Sequence, residues 1–224
     1  METVKISLGI DCCFNWTSVG LSRDGTVLSE IQLNEGRKQS RNLPIAVDSL
    51  LGFSGLTLDE IGQVVLNTGP GSFTGLRLGL SYGLSLAAAL GCPVVPFNSL
   101  ELRALDFKGF AGVNLLAPVI WAKHGFLYGA VYLITDDVKN LSPLHMPSFF
   151  TETEFLQTLS SLDERPLLIL PKDRSYPLLG DFPFAYSADI PSGGRLSTLG
   201  YLFPERETSF SDVSGTYLRP PDIG

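Results

Sequence analysis

The segment from Gly69 to Arg77 combines glycine, proline and hydroxyl residues in a spacing that could bind an anion. It reads Gly-Pro-Gly-Ser-Phe-Thr-Gly-Leu-Arg and separates a predicted strand, Gln63–Asn67, from a predicted helix, Thr74–Leu90. Glycines allow tight turns, and the first N–H groups of a helix lack intrahelical partners, so such a loop can hold a phosphate. The alternative is a plain strand-to-helix turn in which Ser72 caps the helix. The segment lacks the Gly-Lys-Ser/Thr of a P-loop.

Few other residues could take part in catalysis or ligand binding. Asp11 is the last residue of the first predicted strand and is the carboxylate placed as in an ATP-handling site, although a turn or capping aspartate is the alternative. The two histidines, His124 and His145, are far apart and lack metal-ligand spacing. We therefore expect no catalytic residue and no metal site. The candidate residues for binding a nucleotide or anion are Asp11, Gly69, Gly71 and Ser72.

Three glycines recur every four residues in the predicted helix Thr74–Leu90: Gly75, Gly79 and Gly83. A glycine inside a helix costs about 1 kcal/mol relative to alanine, so three on one face indicate the close approach of another backbone. That backbone could belong to this chain or to a partner.

The preceding predicted helix, Arg41–Ser54, carries an apolar stripe that includes Leu43, Val47 and Leu50. Charged residues make up 17% of the chain, against about 25% in a typical soluble protein. So low a fraction indicates a large core, or a surface that another protein covers. We predict that this stripe and the glycine face of the following helix form a partner-binding surface.

The overall charge, the cysteines and the apolar stretches indicate which partners and which cellular compartment to expect. The formal net charge is −7 and no long basic run is present, so we expect contact with RNA to be indirect. The chain has three cysteines, an odd number that does not make a complete set of disulfide pairs, and this favours reduced thiols in the cytoplasm. No targeting segment is visible, and the longest apolar stretch, Leu84–Val95, is shorter than the ~20 residues of a membrane span. We expect a cytoplasmic protein without a membrane segment.

The order of predicted elements indicates a duplicated α/β fold. Strand Val4–Asp11 precedes a hairpin that turns at Asp24-Gly25, a dipeptide typical of two-residue turns. A helix, a strand and a second helix follow, and the second half of the chain repeats this order. We predict two subdomains with mixed sheets. The first comprises residues 1–106, with a C-terminal segment, 196–224, that returns to it; the second comprises residues 107–195.

The run Gly69–Gly79 resembles the signature GPGSFTGxRxG of the TsaB (YeaZ) family. Supporting stretches are similar to other parts of that family's pattern: Ile6–Asp11, Arg41–Leu51, Thr57–Ile61, Pro96–Leu105 and Tyr217–Arg219. The resemblance is dense over residues 4–105 and thin over 110–215. Two departures stand out, Asp11-Cys12-Cys13 where the family has Asp-Thr-Ser, and Lys38-Gln39-Ser40 where it has His-Ser-Glu.

The resemblance implies an actin-like (ASKHA) fold and a non-catalytic subunit of the complex that makes threonylcarbamoyladenosine in tRNA. The implied partners are the catalytic subunit TsaD and the small ATPase TsaE, with a homodimer when TsaD is absent. The chain alone would bind no cofactor, although ATP or ADP could sit at the complex interface. Two alternatives remain open: an enzyme of the actin-like ATPase or kinase class, and a glycoprotease-like peptidase.

Overall fold

The computed structural model describes residues 5–109, 112–135, 141–172, 176–179, 182–187, 191–216 and 218. Val4, at the predicted start of the first strand, lies outside these residues, as do Tyr217 and Arg219 of the closing motif. The chain divides into two compact units, Met1–Phe97 with Ile190–Thr216, and Asn98–Asp189 with Tyr217–Gly224.

The described residues form strands and helices in the following order, with three consecutive strands opening each half. The strands are β1 (Ile6–Asp11), β2 (Trp16–Arg23), β3 (Thr26–Asn34), β4 (Ile61–Asn67), β5 (Val94–Phe97), β6 (Leu115–Lys123), β7 (Phe126–Ile134), β8 (Leu141–Thr151), β9 (Leu167–Pro171) and β10 (Phe184–Ser187). The α-helices are α1 (Gln39–Ser54), α2 (Phe73–Leu90), α3 (Ser99–Asp106), α4 (Glu152–Ser160) and α5 (Gly193–Leu202).

The first unit is built on a five-stranded mixed sheet in the order β3-β2-β1-β4-β5. The hairpins β1–β2 and β2–β3 are antiparallel, whereas β1, β4 and β5 run parallel. Asp24 and Gly25 have φ values of 48° and 78°. A type I′ hairpin turn requires positive φ at both of its central positions. Helices α1 and α2 cover one face of this sheet and α5 covers the other.

The second unit repeats this topology. Its strand order, β10-β9-β6-β7-β8, is the first order written from the opposite edge, and it has the same pattern of antiparallel hairpins and parallel neighbours. Helix α4 buries Phe155 and Leu159 against one face of the sheet. The predicted fold class, α/β with two duplicated mixed-sheet subdomains, is confirmed.

The boundary between the units differs from the predicted one. Helix α3 belongs to the second unit, so the division falls after Phe97 rather than after residue 106. The reason is local packing, since Arg103 Nη1 donates to the Val119 carbonyl of β6 and the Tyr132 hydroxyl of β7 donates to Asn98 Oδ1 at the helix start. The segment Ile190–Thr216 belongs to the first unit, and the Thr216 N–H donates to the Thr68 carbonyl.

Candidate functional site

The ends of the parallel strands β1 and β4 bring Asp11 beside the Gly-Pro loop. Asn67, the last residue of β4, links them, because its Nδ2 donates to Asp11 Oδ2 at 2.7 Å and its Oδ1 accepts from the Gly69 N–H at 3.0 Å. Asp11 Oδ1 accepts from the Cys13 N–H at 2.9 Å. Asp11 and Asn67 are both buried. Asp11 is therefore connected to the loop through Asn67, a side chain that the sequence analysis did not single out. Binding of a nucleotide or anion by Asp11, Gly69, Gly71 and Ser72 stays a prediction.

The Gly-Pro loop is closed by the segment that follows β1. The Ser72 N–H donates to the Cys13 carbonyl at 2.5 Å, and a Cβ on Gly71 would lie only 2.2 Å from that same oxygen. Ser72 is the N-cap of α2, with its hydroxyl accepting from the Gly75 N–H. The Ser72 amide, which an anion would need, thus already has a partner in this chain. These contacts are the ones expected if the segment is a strand-to-helix turn in which Ser72 caps the helix.

The glycine face of α2 lies against the first unit itself. A Cβ on Gly75 would meet the Cys12 carbonyl at 2.0 Å, one on Gly79 would meet Cys12 Cβ at 3.3 Å, and one on Gly83 would meet the Leu66 side chain at 2.4 Å. All three glycines are buried. The prediction that they contact a partner is wrong, because the close approach they allow is to Cys12, which follows β1, and to Leu66 of β4.

The apolar stripe of α1 is also part of the core. Leu43, Val47 and Leu50 are fully buried and pack with the first sheet and α2. The prediction that these residues meet a partner is wrong for the same reason. A helix on a sheet must first bury its apolar stripe there. A glutamate at Val47 or Leu50 would unfold the unit rather than weaken an interface.

The outer faces of α1 and α2 carry a different set of apolar and small residues, which the sequence analysis missed. On α1, Ile45 is 54% exposed and Phe53 is 82% exposed. Helices α1 and α2 are in contact. Burial, with the Asp48 carboxylate of α1 nearby, raises the pKa of the half-buried Tyr82 on α2. Small exposed residues line the outer side of α2: Ser81, Ser85, Ala88 and Ala89. We call Ile45, Asp48, Phe53, Tyr82 and these four residues the outer helix face.

Among the described residues, α2 is the one helix long and apolar enough to cross a membrane by length and composition. Its packing is that of a sheet-covering helix, since Leu76 and Leu80 are buried in the core of the first unit. Leu78, Tyr82, Leu84 and Leu90 of α2 are partly buried and pack against the same core, so most of its large apolar side chains contact the first unit.

The chain is similar in sequence to proteins of tRNA modification. The family model described as TsaD, tRNA N6-adenosine threonylcarbamoyltransferase, matches residues 26–141, slightly more than half of the chain. The tRNA threonylcarbamoyladenosine biosynthesis protein TsaB of Bacillus subtilis (strain 168) is 29% identical over 221 residues, which cover 95% of this chain and 93% of that protein. TsaB of Escherichia coli (strain K12) is 33% identical over 125 residues, 56% of this chain and 54% of its own length. The chain belongs to the TsaB (YeaZ) family.

The solved structure of YeaZ from Pseudomonas aeruginosa has the same fold. It superposes with a TM-score of 0.75 and 19% identity, covering 96% of this chain and 100% of that one. The predicted family is confirmed, and the chain has the fold of YeaZ. Curated TsaB members are named for the biosynthesis of threonylcarbamoyladenosine in tRNA, so the chain is a member of a tRNA-modification family.

This TsaB member carries cysteines where the family resemblance predicts Thr-Ser after the first aspartate. Both are buried, and burial, followed by the charge of Asp11, raises the pKa of the Cys12 thiol far above its usual range. The Cys13 thiol lies 3.5 Å from the Asn67 carbonyl and can donate to it. A thiol that stays protonated is a poor nucleophile, so the Cys12 thiol is not activated for catalysis.

The histidines of this TsaB chain lie at separate places in the second unit. His124 is in the turn between β6 and β7, whereas His145 on β8 pairs with Val131, roughly 20 Å further along the hairpin at about 3.3 Å per residue. Within the part of the chain that the structure describes, no three His, Cys, Asp or Glu residues are grouped as metal ligands.

Proposed function

We propose that this chain is the non-catalytic partner subunit of the complex that makes threonylcarbamoyladenosine in tRNA, and that it binds a TsaD-like catalytic subunit through the outer helix face. The observation that carries the proposal is the exposure of Ile45 and Phe53 on α1, next to a helix whose outer side consists of small residues. Contiguous exposed apolar residues usually mark a protein–protein contact.

The composition of the outer helix face suits a helical partner. Serine and alanine at the outer positions of α2 allow another helix to approach closely, and the large side chains of Ile45 and Phe53 can insert between the partner's residues. Such large apolar anchors within a surface of small residues are typical of interface centres. In the absence of TsaD, the same surface on a second copy would give a homodimer with twofold symmetry.

The contacts around Asp11 favour a structural role for the first unit over an enzymatic one. Both Asp11 oxygens accept hydrogen bonds from within the chain, and the Ser72 amide is bonded to Cys13. Any ATP or ADP would then need groups from the partner, at the complex interface. A TsaE-like ATPase would join the complex, and contact with tRNA would come through the catalytic subunit.

Reconstitution tests this proposal. The chain, the TsaD-like and TsaE-like proteins of the same cell, tRNA and threonylcarbamoyl-adenylate are combined, and modified adenosine is measured by mass spectrometry. We expect modification to depend on the chain, and the chain alone to neither turn over ATP with Mg²⁺ nor modify tRNA. Hydrolysis or phosphoryl transfer by the purified chain alone would favour the ATPase or kinase alternative, and modification that is indifferent to the chain would refute the proposal.

A further inference from the structure

Gln39, the first residue of α1, holds the segment between β1 and β2 by its side-chain amide. Its Nε2 donates to the carbonyl oxygens of Cys12 at 3.4 Å, Phe14 at 3.1 Å and Trp16 at 2.7 Å. A primary amide has two hydrogens, so at least one of them is shared between two carbonyls. Gln39 is only 6% exposed, and water therefore cannot readily replace it. We call residues 12–16 the hairpin loop.

The remaining carbonyls of the hairpin loop are bonded as well. The Asn15 carbonyl accepts from the N–H groups of Glu35 and Gly36, and the Cys13 carbonyl accepts from the N–H of Ser72. Five consecutive carbonyls, from Cys12 to Trp16, therefore each accept a hydrogen bond. A segment held at every carbonyl has one conformation rather than several, and Gln39 supplies the bonds to three of the five.

The hairpin loop lies between the N-terminal ends of the two helices that carry the outer helix face. On the α1 side it is bonded to Gln39. On the α2 side it is bonded to Ser72, and Gly75 approaches it so closely that an added Cβ would lie 2.0 Å from the Cys12 carbonyl and 3.2 Å from Gln39 Oε1. The loop and Gln39 together thus act as a spacer between α1 and α2.

We propose that Gln39 is a positioning residue for partner binding: by holding the hairpin loop, its amide sets the spacing of α1 and α2 and hence the shape of the outer helix face. This inference rests on the proposed function, because the surface it shapes is the proposed binding surface. Interfaces match in shape about as closely as protein interiors pack, so a small displacement of one helix lowers affinity.

The test compares Gln39→Met with Val65→Ala. Methionine keeps the length of glutamine but has no donor, so it removes all three bonds. Val65 is equally buried, but it faces Gly200 of α5 on the opposite side of the sheet, so its alanine variant lowers stability without touching the hairpin loop. Trp16 and Trp121 are the two tryptophans, and a Trp121→Phe background leaves Trp16 as the single reporter of the loop.

We expect Gln39→Met to raise acrylamide quenching of Trp16 in the isolated chain at least twofold and to weaken binding to the TsaD-like subunit at least tenfold by calorimetry. Val65→Ala should leave both quantities within twofold of the parent. A Gln39→Met variant that loses stability but keeps both the parent quenching and the parent affinity would overturn the inference. If Gln39→Met does not fold, Gln39→Asn, which keeps the amide on a shorter stem, is judged by the same two criteria.

The two readouts separate this inference from the proposed function. If the parent chain does not bind the TsaD-like subunit, the proposed function fails and so does the link from Gln39 to partner affinity. Binding by the parent together with unchanged affinity of the Gln39 variant refutes the inference alone, because the function would stand while the spacer had no effect on it.

Discussion

The three glycines of α2 provide a graded test of what this helix packs against. In Gly75→Ala the new methyl would lie 2.0 Å from the Cys12 carbonyl, whereas ordinary contacts begin near 3.4 Å. The oxygen belongs to a backbone held by hydrogen bonds, so α2 or the hairpin loop must move by roughly 1.4 Å to restore an ordinary contact. Overpacking of this kind costs about 3 kcal/mol, and the better helix propensity of alanine returns about 1 kcal/mol. We expect a net loss of about 2 kcal/mol of unfolding free energy.

The other two glycines should respond less. In Gly79→Ala the methyl lies 3.3 Å from Cys12 Cβ, a strain of a few tenths of an ångström that the helix propensity offsets, so stability should stay within about 0.5 kcal/mol. In Gly83→Ala the methyl meets the end of the Leu66 side chain at 2.4 Å, and a shift of that side chain should cost about 1 kcal/mol net.

Urea unfolding followed by circular dichroism measures this series, with equal m values required for comparison. The expected order of stability is Gly79→Ala, then Gly83→Ala, then Gly75→Ala. Equal effects at the three positions would refute the packing argument. So would a Gly75→Ala chain of parent stability that no longer binds its partner, because the glycine face would then belong to the interface.

Three further outcomes follow from the same structure. Leu50→Ala should lower the unfolding free energy by about 3 kcal/mol, as large-to-small changes in cores do, whereas Ile45→Ala should stay within about 0.5 kcal/mol; similar losses in urea unfolding would contradict the assignment of faces. At pH 8, iodoacetamide should label the half-buried Cys92 well before the two buried thiols, which peptide mass spectrometry would detect. Hydrogen bonds from Thr151 hold the pKa of Glu154 below its usual value, so this contribution to stability is complete above about pH 4.3 and is lost as pH falls through the folded pKa. Glu154→Gln should therefore flatten the loss of stability between about pH 5 and pH 3, and parallel curves for parent and variant would exclude the effect.

Local sequence signals were sufficient for much of the fold. Asp24-Gly25 predicts its hairpin because few other dipeptides accept positive φ at both positions, and the structure has both. The repeated element order predicted the duplication. The position of α3 was not predictable in this way, because its assignment to the second unit depends on long-range contacts such as that of Arg103 with Val119.

The candidate site shows where residue patterns stop being informative. The periodicity of Leu43, Val47 and Leu50 identifies an apolar face but not what covers it, and the sheet of the same chain is the nearest cover. The more informative residues are Ile45 and Phe53, which are apolar although they lie on the exposed side of α1, outside the core. The hydrogen bond from the Ser72 N–H to the Cys13 carbonyl, which closes the Gly-Pro loop, could not be predicted from the sequence either, because the residue type does not determine the direction of a backbone carbonyl.

The most direct test of the central claim is calorimetric titration of the TsaD-like subunit with three forms of this chain: the parent, Ile45→Glu and Met146→Glu. Met146 is the matched control, because it is a large apolar residue on β8 of the second unit and is 66% exposed. We expect Ile45→Glu to weaken binding at least about 30-fold, the effect of losing a strong interface anchor, while its unfolding curve stays that of the parent. Met146→Glu should bind as the parent does. Parent-like affinity of a folded Ile45→Glu chain would contradict the assignment of the outer helix face as the partner surface.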